Sequence, residues 1–94
     1  MTDVKRYKAI LTGRVQGVGL RFFTMENASK LGLTGWVKNM ADGTVHLEVQ
    51  GEDSVITEFV SIIKKGNFII NVETFDAEEI PVIEEEKAFI IRNW

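Results

Sequence analysis

The chain contains 94 residues and no cysteine, carries a formal net charge of −3, and is 45% apolar and 27% charged. Its length predicts a single domain spanning 1–94. The absence of cysteine excludes a disulfide framework, a thiolate nucleophile and a cysteine-based zinc site, and no apolar run approaches the roughly 18 residues of a membrane span. We therefore expect a cytoplasmic protein with no membrane partner and, because the net charge is negative, no nucleic-acid partner.

Positive and negative residues are unevenly distributed along the chain. The segment 5–38 carries seven lysines and arginines and a single acid, Glu26. The acids gather later, above all in Glu78-Glu79 and Glu84-Glu85-Glu86, and the second of these runs is predicted to be solvated. We expect the basic half to attract a small anion although the whole chain is negative.

The first third of the chain predicts a strand, a loop and a helix. Residues 5–12 alternate between apolar and polar positions as a half-buried strand does. Three glycines within residues 13–19 then predict an irregular loop, because glycine does not favour a continuing strand. Residues 21–31 predict a helix that Gly32 ends. Its apolar stripe would consist of Phe22, Met25, Ala28 and Leu31.

The middle of the chain predicts a hairpin. Residues 34–39 form a short strand, and the Asp42-Gly43 pair that follows is typical of a tight turn. Residues 44–50 give the clearest strand pattern, in which three apolar residues alternate with Thr44, His46 and Glu48. The two strands are therefore expected to pair with each other.

The last part of the chain predicts one helix and two strands. Residues 53–65 carry an apolar helical stripe that Gly66 ends. Residues 68–76 predict a fourth strand, and a short strand follows near 87–92. One face of the fourth strand would carry Phe68, Ile70 and Val72. The order βαββαβ, with the short strand added, predicts an α+β ferredoxin-like split βαβ sandwich, in which two helices cover one face of an antiparallel sheet.

The stretch from Gly13 to Arg21 carries the clearest chemical signal. It follows a strand and opens a helix, so backbone N–H groups of the loop and of the helix N-terminus can line one concavity beside Arg21. Backbone amides, a helix dipole and a guanidinium that grips two oxygens favour a tetrahedral phosphate-like anion. The alternative is that the glycines only turn the chain and that Arg21 is a solvated helix residue.

Two blocks of the sequence resemble those of the acylphosphatase family. The first block is Gly13-Arg14-Val15-Gln16-Gly17-Val18-Gly19-Leu20-Arg21. The second is Gly35-Trp36-Val37-Lys38-Asn39, followed by Asp42-Gly43-Thr44 and Gln50-Gly51. The resemblance covers essentially the whole chain, and the two blocks together are highly specific. The chain departs from the family pattern at one visible position, where the family usually has Phe and this chain has Leu20. Leucine is also apolar, so the loop keeps an apolar anchor there.

The resemblance implies an enzyme, an acylphosphatase (acylphosphate phosphohydrolase). By that resemblance Arg21 and the loop backbone hold the phosphoryl group, and the loop residues are Val15, Gln16, Gly17, Val18, Gly19 and Leu20. Asn39 would position the attacking water, although an asparagine just before a turn also has local reasons to be there. Thr44 would either support the Asn39 amide or be a plain strand residue.

The reaction that the resemblance implies needs no metal, no cofactor and no covalent intermediate. A carboxylate leaving group has low basicity, so orienting a water in line and stabilising charge on the phosphoryl oxygens suffice. We expect a monomer that binds a small acyl phosphate, with inorganic phosphate as product and inhibitor. The sequence does not choose between carbamoyl phosphate, 1,3-bisphosphoglycerate and other acyl phosphates.

Two other functions stay open at this point. The first is a non-enzymatic module, since ferredoxin-like domains also bind RNA, metals or small regulators. An RNA-binding module would require exposed aromatic residues and a basic surface on the open sheet face. An acylphosphatase-like domain can also serve a larger carbamoyl-transfer protein. The negative net charge argues against the first function, and a chain that ends at Trp94 favours a free-standing enzyme over the second.

Overall fold

The computed structural model describes residues 3–93, which form five strands and two helices. The strands are β1 (Val4–Arg14), β2 (Thr34–Asn39), β3 (Val45–Glu52), β4 (Asn71–Ile80) and β5 (Phe89–Arg92). The helices are α1 (Leu20–Lys30), between β1 and β2, and α2 (Asp53–Lys65), between β3 and β4. This is the predicted order of elements, and it confirms the α+β ferredoxin-like fold.

The strands form one sheet in the order β4-β1-β3-β2-β5. β1 pairs antiparallel with β3 and with β4, and β2 pairs antiparallel with β3. β5 instead pairs parallel with β2, so the predicted antiparallel arrangement holds for every pair except this one. The reason is topological: the chain leaves β4 at one edge, crosses the sheet and enters β5 at the other edge, in the direction of β2.

Both helices pack on the same face of the sheet, and the core lies between them and the strands. Alternation along β1 and β3 places every second side chain under the helices, namely Ala9, Leu11, Val45, Leu47 and Val49. The helix α2 buries Ile56, Phe59 and Ile63, which recur at helical spacing as predicted. Neither helix of the described residues has the length and apolarity that a bilayer crossing requires.

The stripe predicted for α1 holds except at Phe22, since its other three members pack in or against the core. The helix buries Leu20, Thr24 and Ala28, whereas Phe22 is 60% exposed. Residues four apart lie on one side of a helix, and a residue two positions from Leu20 lies on nearly the opposite side. The helix therefore presents Phe22 to solvent. Gly32, with a φ of 72°, follows the end of the helix as predicted.

The strand β4 begins at Asn71, three residues later than predicted. Asn67 accepts hydrogen bonds at Oδ1 from the backbone N–H groups of Ile69 and Ile70, both at 2.9 Å, and these bonds hold residues 67–70 in a turn. Phe68 is therefore fully exposed and does not belong to a buried strand face. The expected strand near 87–92 is confirmed as β5, which begins at the buried Phe89.

The sheet face opposite the helices is partly covered by residues 81–88. Arg6 is fully buried there and donates from Nε to Glu48 Oε1 at 2.8 Å and from Nη1 to Glu86 Oε1 at 2.7 Å. Gln50 donates to the carbonyl of Ile83 at 2.7 Å and accepts from its N–H at 2.8 Å. We call Arg6, Glu48, Gln50 and Glu86 the Arg6 cluster, since Arg6 also donates to Gln50.

The Arg6 cluster corrects two expectations from the charge pattern. Glu86 is an ion-pair partner of Arg6 and not part of a solvated run, although its neighbours Glu84 and Glu85 are exposed. Burial by itself lowers the pKa of Arg6, but the hydrogen bonds and negative charge of Glu86 and Glu48 outweigh this and raise it above its ordinary value. Arg6 therefore does not add to the field that would attract a small anion.

Candidate active site

The glycine loop, residues 13–19, connects β1 to α1 and contains the conformations that favour glycine. Gly17 and Gly19 have φ angles of 71° and 80°, and Val18 between them does not share the positive sign. Such an alternation turns successive backbone N–H groups towards one side of the loop, and concavities of this kind bind anions.

The N-terminus of α1 adds further donors. Gly19 precedes the helix, no side chain of the described residues caps this end, and Phe23 N–H bonds to the Gly19 carbonyl at 3.0 Å. The amides of the first turn therefore lack acceptors within the helix, and they lie at the positive end of its dipole. Together with the glycine loop, this helix end can hold a negatively charged group.

A cavity of about 230 Å³ opens at this end of α1, and we call it the Arg21 cavity. The residues of the predicted site that line it are Val15, Gly17, Gly19, Leu20, Arg21 and Asn39. Phe22, Ile91 and Asn93 also line it, and sequence reasoning did not assign them to the site. Two predicted loop residues, Gln16 and Val18, are not part of the lining.

Arg21 lies half-buried in the wall of the cavity. Its Nη1 donates to Asn93 Oδ1 at 2.9 Å. Asn93 is neutral, and within residues 3–93 no carboxylate lies at ion-pair distance from Arg21. The charge of the guanidinium is therefore not neutralised by a carboxylate of the described residues, and most of its five N–H donors are available to a ligand in the cavity.

Asn39 is the last residue of β2 and lines the cavity together with Arg21. Its Oδ1 atom is buried and has no hydrogen-bond partner among the described residues. An unpaired buried acceptor lowers the stability of the folded state by about 1–3 kcal/mol, and such atoms are rare in native structures. Among the described residues that line the cavity, Asn39 is the one with such an unpaired buried side-chain atom.

Gln16 connects the glycine loop to the turn that follows Asn39. Its Nε2 donates to the carbonyl oxygen of Met40 at 2.7 Å and to that of Thr44 at 2.8 Å. The turn is closed by the Met40 N–H, which donates to the same Thr44 carbonyl at 2.9 Å. The side chain of Gln16 thus holds the loop and the turn at a fixed separation, a role that the sequence did not reveal.

The Thr44 side chain does not reach the Asn39 amide. Its hydroxyl donates to Asp42 Oδ1 at 2.6 Å, and its backbone N–H donates to the same oxygen at 3.0 Å. These two hydrogen bonds lower the pKa of the Asp42 carboxyl, and the bond from the Thr44 hydroxyl has the larger effect. Of the two alternatives left open for Thr44, direct support of the Asn39 amide finds no contact here, because the Thr44 hydroxyl is engaged with Asp42 within the turn.

The assembled site combines backbone amides, a guanidinium without a carboxylate partner and an unpaired amide oxygen. Between residues 3 and 93 there is no group of three or more His, Asp or Glu side chains placed to hold a metal ion. A tetrahedral oxyanion with a water beside it is the ligand that such donors and acceptors can accommodate. The chain is thus a small α+β domain of the ferredoxin-like class, whose first strand leads into a glycine loop with donors suited to an oxyanion.

Comparison with known proteins identifies the family within that class. The acylphosphatase family model matches residues 7–91. An acylphosphatase from Clostridium beijerinckii is 51% identical, over 93% of this chain and 97% of its own length. The crystal structure of acylphosphatase from Bacillus subtilis has a TM-score of 0.88 at 36% identity, covering 94% of this chain and 98% of that one. The chain belongs to the acylphosphatase family.

The same fold also occurs inside a longer protein. Full-length HypF, in a crystal structure of its phosphate- and nucleotide-bound form, is 30% identical with a TM-score of 0.86. That match covers 98% of this chain but 12% of HypF. The predicted resemblance to acylphosphatases is thus confirmed at the level of family, and the family fold is used both in small proteins and in a large one.

Proposed function

We propose that this chain, as a single domain, hydrolyses acyl phosphates to a carboxylate and inorganic phosphate. The reaction is a direct in-line attack by water, with no covalent intermediate. Membership of the acylphosphatase family supports the overall reaction. The assignment of the steps to residues rests on the geometry of the Arg21 cavity.

The observation that carries the proposal is the unpaired Asn39 Oδ1. Among the described residues, two buried polar side-chain atoms have no hydrogen-bond partner. One is this acceptor, and the other is Thr24 Oγ1. Asn39 lines the same cavity as Arg21 and the glycine loop. A water that donates to this oxygen stands beside the position of the phosphoryl group, and such orientation of a nucleophile contributes strongly to catalysis.

Arg21 and the loop amides hold the phosphoryl group. Since no carboxylate of the described residues pairs with Arg21, its charge acts on the substrate. Its planar fork contacts two phosphoryl oxygens at once, and amides from residues 15–20 with those of the first turn of α1 contact the others. These fixed donors stabilise the negative charge that is shared among the oxygens in the transition state.

Acyl phosphates require little more than this arrangement. The leaving carboxylate is a weak base and departs without a strong general acid, and the chain has no cysteine that could be phosphorylated. The proton of the attacking water passes to an oxygen of the substrate phosphate. Arg21 supplies the positive charge that a metal ion supplies in other phosphoryl-transfer sites.

Several finer expectations stay predictions. These are that the enzyme is a cytoplasmic monomer, that it needs no metal or cofactor, that inorganic phosphate inhibits it, and that it binds no nucleic acid. The match to part of HypF supports a second role, as a unit within a larger assembly. Turnover by this chain alone would show that catalysis requires no further domain.

The proposal is tested by assaying benzoyl phosphate hydrolysis in the presence of EDTA, with the natural chain and with Asn39→Ala. We expect metal-independent turnover by the natural chain. We expect the variant to lose roughly 100-fold or more in kcat, because the water is no longer oriented. Inhibition by inorganic phosphate should change by less than about twofold, because Arg21 and the loop still bind the anion.

The matched control is Asn71→Ala, which removes an exposed amide on β4 outside the cavity lining. This control should retain the natural kcat. A natural chain that does not hydrolyse benzoyl phosphate would contradict the proposed reaction. An Asn39→Ala variant that retains turnover but loses phosphate inhibition would contradict the assignment of water positioning to Asn39.

A further inference from the structure

We infer that Phe22 and Ile91 form a subsite for the acyl group, and that the preferred substrates are acyl phosphates of apolar, above all aromatic, carboxylic acids. The inference rests on the proposed function, since it concerns the part of the substrate that is not phosphate. It adds a choice between substrates that the sequence left open.

The first observation is the placement of Phe22. It is 60% exposed at the third residue of α1, while its neighbour Phe23 packs against the core. Among the large apolar side chains that are exposed within residues 3–93, Phe22 alone lines the Arg21 cavity. An aromatic ring at the wall of a polar cavity is unfavourable in water but suited to contact with an apolar ligand group.

The second observation is the division of the cavity wall into two kinds of surface. Arg21, Asn39, the glycines and Asn93, whose Oδ1 already accepts from Arg21, provide charge and hydrogen-bonding groups. Phe22 from α1 and the half-buried Ile91 from β5 provide apolar surface, and both line the same cavity. An acyl phosphate has the same division, with a charged phosphoryl group at one end and the acyl substituent at the other.

This division discriminates among acyl phosphates. With the phosphoryl group on Arg21 and the glycine loop, the acyl substituent extends towards Phe22 and Ile91. A phenyl or alkyl group loses contact with water there and gains contact with the two side chains. The amino group of carbamoyl phosphate and the second phosphate of 1,3-bisphosphoglycerate would lose hydration without finding a hydrogen-bond partner on these side chains. Both are therefore disfavoured.

The test compares benzoyl phosphate with acetyl phosphate, which differ in the size of the apolar group. Phe22→Ala should lower kcat/KM for benzoyl phosphate about five- to tenfold, mainly through KM, because the ring contact is lost. The value for acetyl phosphate should fall by less than about twofold. Phe22→Leu should restore most of the benzoyl phosphate activity, since it keeps apolar surface at the same position.

Two further measurements keep the test decisive. Phe68→Ala removes another exposed phenylalanine, in the turn before β4. It should leave kcat/KM unchanged for both substrates. Inorganic phosphate should inhibit Phe22→Ala as it inhibits the natural chain, which shows that the phosphate cradle is intact. Alanine favours helix more than phenylalanine does, so the exposed substitution should not unfold α1.

The outcomes separate this inference from the proposed function. Equal losses for benzoyl and acetyl phosphate in Phe22→Ala, or a loss of phosphate inhibition, would overturn the acyl subsite while the hydrolase function stands. A natural chain that hydrolyses neither substrate would overturn the function and the subsite together. A selective loss for benzoyl phosphate that Phe22→Leu reverses is the result that we expect.

Discussion

Two arginines on opposite faces of the sheet are held in different ways. Arg6 is fully buried and donates to Glu48 at 2.8 Å and to both carboxylate oxygens of Glu86, at 2.7 and 3.2 Å. Arg21 is half-buried, and within residues 3–93 its side chain forms one hydrogen bond, to the neutral Asn93. The charge of Arg6 is neutralised by the protein, whereas the charge of Arg21 is available to a ligand.

In the Arg6 cluster and beside the Arg21 cavity, a glutamine side chain joins two segments of the chain by hydrogen bonds. Gln50 joins the Arg6 cluster to the backbone of Ile83 and so holds residues 81–88 on the sheet. Gln16 joins the glycine loop to the carbonyls of Met40 and Thr44. In the Arg6 cluster the connection completes a set of paired groups and stabilises the fold. Beside the Arg21 cavity it fixes the spacing between groups that are left for the substrate.

Arg21→Ala should give the largest effect, and it should affect activity alone. We expect kcat/KM for benzoyl phosphate to fall by about 100- to 1000-fold or more, because the donor to the phosphoryl oxygens is lost. The free energy of unfolding should change by less than about 0.5 kcal/mol, since no ion pair is broken among the described residues. Urea denaturation and the hydrolysis assay on the same sample measure both quantities.

Arg21→Lys refines this prediction. A lysine keeps the charge but not the planar fork, so activity should lie between those of the natural chain and Arg21→Ala. If Arg21→Ala hydrolysed benzoyl phosphate at a near-natural rate, Arg21 would not be the phosphate-binding residue.

Glu86→Gln should give the reverse result, a loss of stability without a loss of activity. The substitution removes the negative charge that faces the buried Arg6, and we expect the free energy of unfolding to fall by about 2 kcal/mol. The matched control is Glu85→Gln at the neighbouring exposed position, which should change it by less than about 0.5 kcal/mol. Both variants should keep kcat within about twofold. Equal stability of the two variants would show that the charge of Glu86 beside Arg6 does not stabilise the fold.

Gln16→Met should give the smallest of these effects. Methionine has a similar length and no donor, so it removes both hydrogen bonds to the turn without adding charge. We expect kcat to fall about fivefold, because Asn39 is held less firmly opposite the loop, and phosphate inhibition to change little. A fall in phosphate binding with an unchanged kcat would instead show that Gln16 acts on the loop alone.

Sequence reasoning was most accurate where a local pattern decides the structure. The bounds of β2 and α2 were predicted as the structure has them, because alternation, helical spacing and Gly66 act within a few residues. The start of β4 was predicted too early because Ile70 and Val72 also alternate. The hydrogen bonds of Asn67 to Ile69 and Ile70 favour a turn there instead.

The candidate site divides in the same way. The sequence placed Arg21 and Asn39 in one site through two blocks that resemble a family, and both residues line one cavity. The contacts of Gln16 with Met40 and Thr44, and of Arg6 with Glu86, join residues far apart in the chain. No local pattern encodes such contacts. Phe22 was placed in the apolar stripe of the first helix because its spacing from Met25 fits the helical period.

The most direct test of the central claim is a crystal structure of the protein with inorganic phosphate bound. We predict a phosphate in the Arg21 cavity, bonded to amides of residues 15–20 and to two nitrogens of Arg21, with a water between it and Asn39 Oδ1. A phosphate bound elsewhere, or an Arg21 side chain that points to bulk solvent beside an empty cavity at saturating phosphate, would contradict it.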